Sequence, residues 1–281
     1  MKKILLLLFI ILAVLSAKAQ KSVLFKMKYA PNRNYVSTAV LKTDMQFDFK
    51  GDSTELDKIK AKGVKGPMTV VGTSDIVSSF KTGAADKLNS FPFIITFEKM
   101  ATKQTIAGTE APARANTIVG QKIYGKISRE GTMKLDSMSG RAMDDNMKKG
   151  MMDMISNLQN QIKFPDKPLT VGESFNQDVP MKMPIGGTSM DMLIKSTYKL
   201  MAIDKGIAYF DVLQTMTLNM AINEKNMEMS GKGDGKLQYL IKDNFIKNMT
   251  NDLIFNYTMG MGNLTMVGLG KINSVYSISV N

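Results

Sequence analysis

The chain has 281 residues, 25 of them methionine, with no cysteine, histidine or tryptophan, and its formal net charge is +12. The missing cysteine and histidine exclude disulfide frameworks, thiolate nucleophiles, Ser-His triads and His-ligated metal sites. Because no complete catalytic motif is present either, we expect a protein that is not an enzyme and needs no cofactor.

The first 19 residues have the layout of a secretory signal peptide. Two lysines precede an apolar run over residues 4–15, and Ala17-Lys18-Ala19 forms a small-x-small cleavage site. No cysteine follows that site, so we do not expect a lipoprotein. We predict an exported protein, periplasmic or extracellular, with one β-rich domain over residues 20–281.

Removal of the signal peptide takes away three lysines, which leaves a net charge of +12 − 3 = +9. In an exported protein this charge argues against nucleic acid as a partner and favours an anionic envelope surface. The alternative is that the lysines are solvated positions that discourage aggregation through strand edges. No later apolar run approaches the ~20 residues that a membrane-spanning helix needs. We therefore expect no transmembrane segment in the mature chain.

Strands are predicted to dominate residues 21–135. Apolar residues alternate with polar ones over residues 23–29 and again over residues 35–49, which predicts two half-buried strands. A charged insert then carries a short helix over residues 54–61, because Asp52 and Glu55 have the spacing of a capping box. Further strands are predicted over residues 68–80 and 91–100, followed by a hairpin over residues 118–135.

An amphipathic helix is predicted over about residues 143–164, in the middle of the chain. Apolar side chains recur every three or four positions, and Pro165 ends the helix. The simplest interpretation of this stripe is core packing. A helix that covers a ligand cavity would carry the same stripe, and the pliable methionine side chain suits that role. The candidate ligand-covering residues are Met147, Met151, Met154, Ile155, Leu158 and Ile162.

Strands are predicted again over residues 175–281, with hairpin tips at residues 204–206 and 243–244. We interpret the glycine-rich residues 231–235 as a bulge or bend in a β-ribbon. The order strands, helix, strands predicts a mainly β (α+β) fold, a strongly curved antiparallel sheet or half-barrel with the central helix packed on its concave side. A closed outer-membrane barrel is the alternative, and the absence of tryptophan girdles disfavours it.

Residues 167–175, KPLTVGESF, resemble the P-x-x-V-G-[DE]-S-[WF] hinge that follows a helix in a family of uncharacterised secreted bacterial proteins. The segments YAPNRNYV (residues 29–36) and GKISREGTMKLDSMSG (residues 125–140) agree with the same family. The resemblance covers most of residues 21–281, implies secretion through a signal peptide, and supplies no catalytic residues. At the level of fold, a sheet with one covering helix is also similar to the half-barrels of periplasmic lipoprotein carriers.

Methionines two residues apart are the least ordinary feature of the sequence. Residues two apart in a strand point to the same side, so two thioether sulfurs could meet on a soft cation such as Cu(I). The alternative interpretation is that these methionines simply fill the hydrophobic core. The Cu(I) candidates are Met181, Met183, Met227, Met229, Met259 and Met261. Separately, Ser53 and Ser137 each follow an aspartate and fit a short bacterial O-glycosylation pattern.

These features predict an exported envelope protein that binds an apolar or lipid-like ligand between its sheet and its helix. One alternative is a structural or protein-interaction module of the cell envelope. The other is methionine-based binding of Cu(I).

Overall fold

The structure is a computed structural model that describes residues 22–61, 63, 66–112, 118–139, 162–185, 188–222 and 225–281. Most of the helix predicted over residues 143–164 lies outside the described residues. Its last three positions, residues 162–164, are described and are not helical. The position of that helix on the sheet therefore stays a prediction.

The described residues contain twelve strands and one short helix, joined by turns and loops. The strands are β1 (Asn34–Gly51), β2 (Met68–Thr82), β3 (Phe91–Ile106), β4 (Thr109–Glu110), β5 (Lys122–Ile127), β6 (Met133–Met138), β7 (Ser174–Ile185), β8 (Thr188–Asp204), β9 (Ile207–Ile222), β10 (Lys225–Leu240), β11 (Phe245–Met261) and β12 (Leu264–Val280). Helix α1 (Ser53–Ala61) connects β1 to β2. None of the described helical residues forms a segment long and apolar enough to cross a membrane.

All the strands belong to one antiparallel sheet, in the order β6-β5-β3-β2-β1-β12-β11-β10-β9-β8-β7, and β4 pairs with β3. Nearly every ladder joins strands that are neighbours along the chain. The exceptions are the ladder between β3 and β5, which passes over the two-residue β4, and the central ladder between β1 and β12, which joins two meanders, β1–β6 and β7–β12. Strands β6 and β7 end the path, so the sheet is open among the described residues. The predicted mainly β, antiparallel fold is confirmed.

The sheet has one apolar face, which we call the inner face. In β1 the side chains of Tyr35, Met45 and Phe47 point to this face, whereas Lys42 and Asp44 point to the outer face. Residues of β2 and β12 that stand opposite inner-face residues of β1 also point to the inner face, because strand side chains alternate with a period of two. The four apolar clusters of the protein all lie on the inner face.

Strand β10 forms a corner of the sheet. Cα atoms of β9 and β11, which flank β10, approach within 8 Å of each other, closer than the ~9.5 Å expected for strands two positions apart in a flat sheet. Gly231, Gly233 and Gly235 lie on the inner face of β10, where a Cβ on Gly233 would collide with the Asp252 carbonyl oxygen. The predicted bend at residues 231–235 is therefore present, without a bulge, and it makes the inner face concave.

The strand predicted over residues 23–29 is wrong. Within this segment Val23 forms a bridge to Leu169, and the Lys28 N–H donates to the Asn244 carbonyl in the turn before β11. The Lys26 N–H donates to the Tyr239 hydroxyl at 3.3 Å. The alternation still reports burial correctly, since Phe25 is 2% exposed. The segment lies across the inner face rather than along a strand edge, so its side chains are buried although its backbone joins no ladder.

Aromatic side chains fill one end of the inner face, in what we call the aromatic core. Phe25 contacts Phe210 and Tyr239 at ring-centroid distances of 5.1 and 5.2 Å. Phe164 lies 5.4 Å from Phe25. The full set of buried residues is Phe25, Ile162, Phe164, Leu169, Phe175, Tyr198, Leu200, Ala208, Phe210, Val212, Leu237, Tyr239 and Ile246. Two extended segments, residues 22–30 and 162–172, cover this end of the sheet.

The short helix and the hairpin tips follow their predicted chemistry. Asp52 accepts the Thr54 N–H at 2.8 Å, so its carboxylate caps the first turn of α1. Lys205 and Gly206 have φ values of 46° and 80° at one tip, and Asn244 has a φ of 52° at another. Left-handed backbone at such positions favours glycine and asparagine, which is why residues 204–206 and 243–244 could be predicted as turns.

Candidate functional site

A second apolar cluster lies on the inner face towards the other end of the sheet, and we call it the methionine patch. Its buried residues are Met216, Phe255 and Tyr257, and its partly buried residues are Met45, Phe47, Met192, Ile194, Met229, Leu253, Met266 and Ile272. Every member belongs to a strand of the sheet. In contrast to the aromatic core, the patch combines a buried floor with a half-exposed apolar surface.

Strand register brings these side chains together from distant parts of the chain. Met192 of β8 stands opposite Leu218 of β9, Leu218 opposite Met229 of β10, and Met229 opposite Tyr257 of β11. On β12 the residues opposite Phe255 and Tyr257 are Gly270 and Gly268. A Cβ on either glycine would collide with the aromatic ring across from it. The two glycines therefore let the rings lie flat on the sheet, where they form the buried floor of the patch.

The inner face carries no charged side chain on the strands β1, β2, β11 and β12, which are described in full. Between the aromatic core and the methionine patch the inner face has a mixed character, with Leu41, Ser274 and Asn251 at one level of the register. On these four strands the inner face is thus uncharged throughout, which suits a neutral or weakly amphiphilic molecule.

Two buried polar atoms on this face have no hydrogen-bond partner among the described residues. They are the hydroxyl of Tyr257, within the patch, and the Oδ1 atom of Asn251, beside it. Burial raises the pKa of Tyr257, so the hydroxyl stays protonated and can act as a donor or an acceptor. Unsatisfied buried polar atoms are rare in native proteins. Both atoms are buried, so neither is exposed on the apolar surface of the patch.

The sequence predicted ligand-covering residues, Cu(I) ligands and glycosylation sites. Of the ligand-covering candidates, five lie outside the described residues, namely Met147, Met151, Met154, Ile155 and Leu158. Ile162 is 3% exposed and belongs to the aromatic core rather than to an open surface.

Of the methionines proposed for Cu(I), Met229 lies in the methionine patch, while Met227 and Met259 are half-buried on the same face. Met261 is 38% exposed near the turn to β12. For Met181 and Met183 only the strand register is described, in which Met181 opposes Met192 and Met183 opposes Met190. Ser53 and Ser137 are both exposed, and their modification stays a prediction.

Apart from Met229, no residue of the methionine patch was among the candidate site residues predicted from the sequence. Alternation within each strand could show which side a residue faces. It could not show which residues of other strands lie beside it, because that depends on register.

Residues 196–199, Ser-Thr-Tyr-Lys, match the S-x-x-K pattern of serine-lysine acyl enzymes, but the structure does not bring Ser196 and Lys199 together as a catalytic pair. Ser196 lies on the inner face, 4% exposed, and its hydroxyl accepts a hydrogen bond from the Gln214 side-chain amide at 3.1 Å. Lys199 is exposed three positions along the same strand, on the outer face. The side chains therefore point to opposite sides of the sheet. The geometry gives no support to nucleophilic catalysis at this serine.

The outer face carries the charges, and the lysines there alternate with acidic residues. Lys236 pairs with Asp211 at 2.6 Å, and Lys99 pairs with Asp75 at 3.3 Å. These side chains are largely exposed, so such pairs contribute little stability. The mixture of charges favours a solvated outer face over a continuous basic surface.

A shallow depression on the outer face, of about 530 Å³, is lined mainly by polar residues that include Gln238, Lys247, Asn248 and Ser277. A β-bulge between Gln238 and Tyr239 shifts the register there, so that Lys247 has no direct partner on β10. The depression is open and shallow. We regard the methionine patch as the better candidate site because it is apolar, concave and only half-covered.

The hinge-like residues 167–175 have structural roles. Glu173 accepts hydrogen bonds from the backbone N–H (2.7 Å) and the hydroxyl (3.0 Å) of Thr170, and these bonds lower the pKa of Glu173. Gly172 has a φ of 97° and donates its N–H to the Leu200 carbonyl. Phe175 stacks on Tyr198 at 4.8 Å. The segment turns the chain into β7 and anchors it to the aromatic core.

Comparisons with known proteins do not identify a family. No protein-family model matches the chain, and no curated protein sequence matches it. Among solved structures, the crystal structure of Pseudomonas aeruginosa OpdQ aligns with a TM-score of 0.29 and 7% identity, covering 87% of this chain and 99% of that chain. Pseudomonas aeruginosa OccK5 (OpdH) aligns with a TM-score of 0.27 and 6% identity, covering 87% and 98%. These values are too low to carry an argument about function.

Proposed function

We propose that the protein is an exported, non-catalytic envelope protein whose inner face binds an apolar or lipid-like molecule. The methionine patch carries this proposal. It is a contiguous apolar surface on the concave side of the sheet, its floor is buried, and its upper side chains are half-exposed. Concave, mostly apolar surfaces with a few polar groups are typical of small-molecule sites.

The side chains of the patch suit a ligand of variable shape. Methionine has an unbranched, flexible side chain and fills irregular gaps. Phe47, Phe255 and Tyr257 add flat aromatic area, and the Tyr257 hydroxyl has no partner among the described residues. We infer a ligand with an apolar chain that lies on the half-exposed methionines of the patch.

Export is proposed from the signal-peptide layout of residues 1–19 and from the resemblance at residues 167–175. That the ligand lies between the sheet and a helix over residues 143–164 stays a prediction.

The proposal can be tested by fluorescence titration of the neutral apolar probe N-phenyl-1-naphthylamine into the protein without residues 1–19. Met229→Asp places a charge in the patch and should weaken binding more than about tenfold, because the carboxylate loses water when the probe binds. Leu213→Asp is the matched control, since Leu213 is 62% exposed on the outer face. It makes the same chemical change away from the site and should leave binding unchanged.

Failure of the wild-type protein to bind the probe would favour the alternative of a structural or protein-interaction module. Equal weakening by both variants would also contradict a site at the methionine patch. Where binding is specific, native mass spectrometry of protein from its own host, followed by solvent extraction, would identify the bound molecule.

A further inference from the structure

Four methionines stand directly opposite one another on neighbouring strands. Met220 of β9 pairs with Met227 of β10, Met227 pairs with Met259 of β11, and Met259 pairs with Met266 of β12. Opposed residues in an antiparallel ladder have Cβ atoms about 4.5–5.5 Å apart. The side chains of Met227, Met259 and Met266 are half-buried, so they are partly shielded from water and still accessible from it.

The backbone holds this row in place. A two-residue turn, Gly262 and Asn263, joins β11 to β12, and Gly262 has a φ of 67° that suits glycine. Met261 opposes Leu264 at the turn, and Met259 opposes Met266 two positions further along. Because the inner face is concave, side chains from adjacent strands lean towards one another. The flexible methionine side chain lets each sulfur reach a shared point.

We propose that Met227, Met259 and Met266 form a three-thioether site for a soft monovalent cation, Cu(I) or Ag(I). Thioether sulfur is a soft, uncharged donor, and thioether and thiolate ligands select Cu(I) over hard cations. No group of three or more acidic side chains that could hold a metal ion occurs within the described residues. The ion would bind as such, without an oxidation or reduction step.

This site differs from the pairs that sequence spacing suggests. In Met227/Met229 and Met259/Met261 the Cα atoms are two residues apart along one strand, about 6.5–7 Å. The cross-strand neighbours are closer. Met266 has no methionine two residues away, and only the strand register assigns it to the site.

The test is an anaerobic titration of Cu(I) into the chain without residues 1–19, in competition with a chromophoric Cu(I) chelator. We expect one ion bound more tightly than micromolar. Replacing the three residues together, as Met227→Leu, Met259→Leu and Met266→Leu, keeps the apolar volume and removes the sulfurs. That variant should bind Cu(I) more than about 100-fold more weakly, because all donors are lost.

The control variant combines Met45→Leu, Met192→Leu and Met216→Leu, which removes three sulfurs from the same face but not from the row. It should retain wild-type affinity. Equal loss of affinity in both triple variants, or wild-type binding no tighter than micromolar, would overturn the proposal.

Carbon-13 NMR of the methionine methyl groups provides a second measurement that does not depend on the triple variants. Redox-inert Ag(I) should shift three methyl resonances, and the single substitutions Met227→Leu, Met259→Leu and Met266→Leu should each remove one of them. Shifts confined to other methionines would contradict the site. Met227→Leu and Met259→Leu, which lie outside the methionine patch, should still bind N-phenyl-1-naphthylamine, so the failure of this inference and the failure of the proposed function can be told apart.

Discussion

The aromatic core and the methionine patch occupy opposite ends of the same inner face, and they are built differently. The core combines stiff rings from the sheet with two covering segments, residues 22–30 and 162–172, and its side chains are almost fully buried. The patch is built from sheet residues alone, and most of its side chains are half-exposed. The comparison shows one end closed by covering segments and the other end with half-exposed apolar side chains.

The largest expected effect is on the stability of the aromatic core. Phe25 contacts three other rings and is 2% exposed. Phe25→Ala should lower the free energy of unfolding by about 3–5 kcal/mol, because it removes buried area and leaves a cavity. Met229→Ala, at a half-exposed position, should cost about 1–2 kcal/mol. Urea denaturation of both variants measures the difference. Equal losses would mean that the patch supports the fold as much as the core does.

The corner at β10 shapes the concave face between the two ends, and a smaller effect is expected there. Gly233→Ala places a methyl group against the Asp252 carbonyl, so the strands must separate locally, at a cost of about 1–3 kcal/mol. Gly72→Ala is the matched control, since its Cβ would meet nothing closer than 3.7 Å. Thermal denaturation should separate the two variants. A Gly233→Ala protein as stable as Gly72→Ala would show that β10 does not need its glycines to bend.

The smallest expected effect is a pH dependence that belongs to the aromatic core. Burial raises the pKa of Tyr239 from 10.0 to about 12. Between these values the folded protein keeps a proton that the unfolded chain releases. The contribution of Tyr239 to stability is therefore unchanged below pH 10 and falls as the pH rises towards 12.

Urea midpoints between pH 8 and pH 11 should fall more steeply for the wild type than for Tyr239→Phe, which has no hydroxyl to titrate. Parallel slopes would show that Tyr239 does not contribute to the alkaline loss of stability.

Much of the sheet could be predicted because alternation of polar and apolar residues reports directly on a strand with one buried side. Strand β1 was predicted over residues 35–49 and extends over Asn34–Gly51. The same alternation was misleading over residues 23–29, since it records burial of one side and not the presence of a hydrogen-bonded partner. The turns were predicted because positive φ values select particular residues.

The candidate site could be predicted only in part. The spacing of Met227 and Met229 correctly placed both residues on one side of a strand. Other neighbours depend on the ladders between strands. Met229 and Met192 both stand opposite Leu218, and Met266 stands opposite Met259. Register is set by turn geometry and by the burial of a whole face, so no local pattern around a single methionine contains it.

The ladder between β1 and β12 has a consequence for the order in which the sheet can assemble. Almost every other pairing links strands that follow each other along the chain, so each hairpin can close over a short loop as soon as its residues are available. The central ladder joins Tyr35 to Val280 and cannot begin until β12 has been synthesised. Contacts so distant in sequence form slowly, because the entropy of closing a long loop is lost before the contact is gained. Until then, two half-sheets each present an unpaired central strand, and the middle of the finished sheet is the last part to be joined.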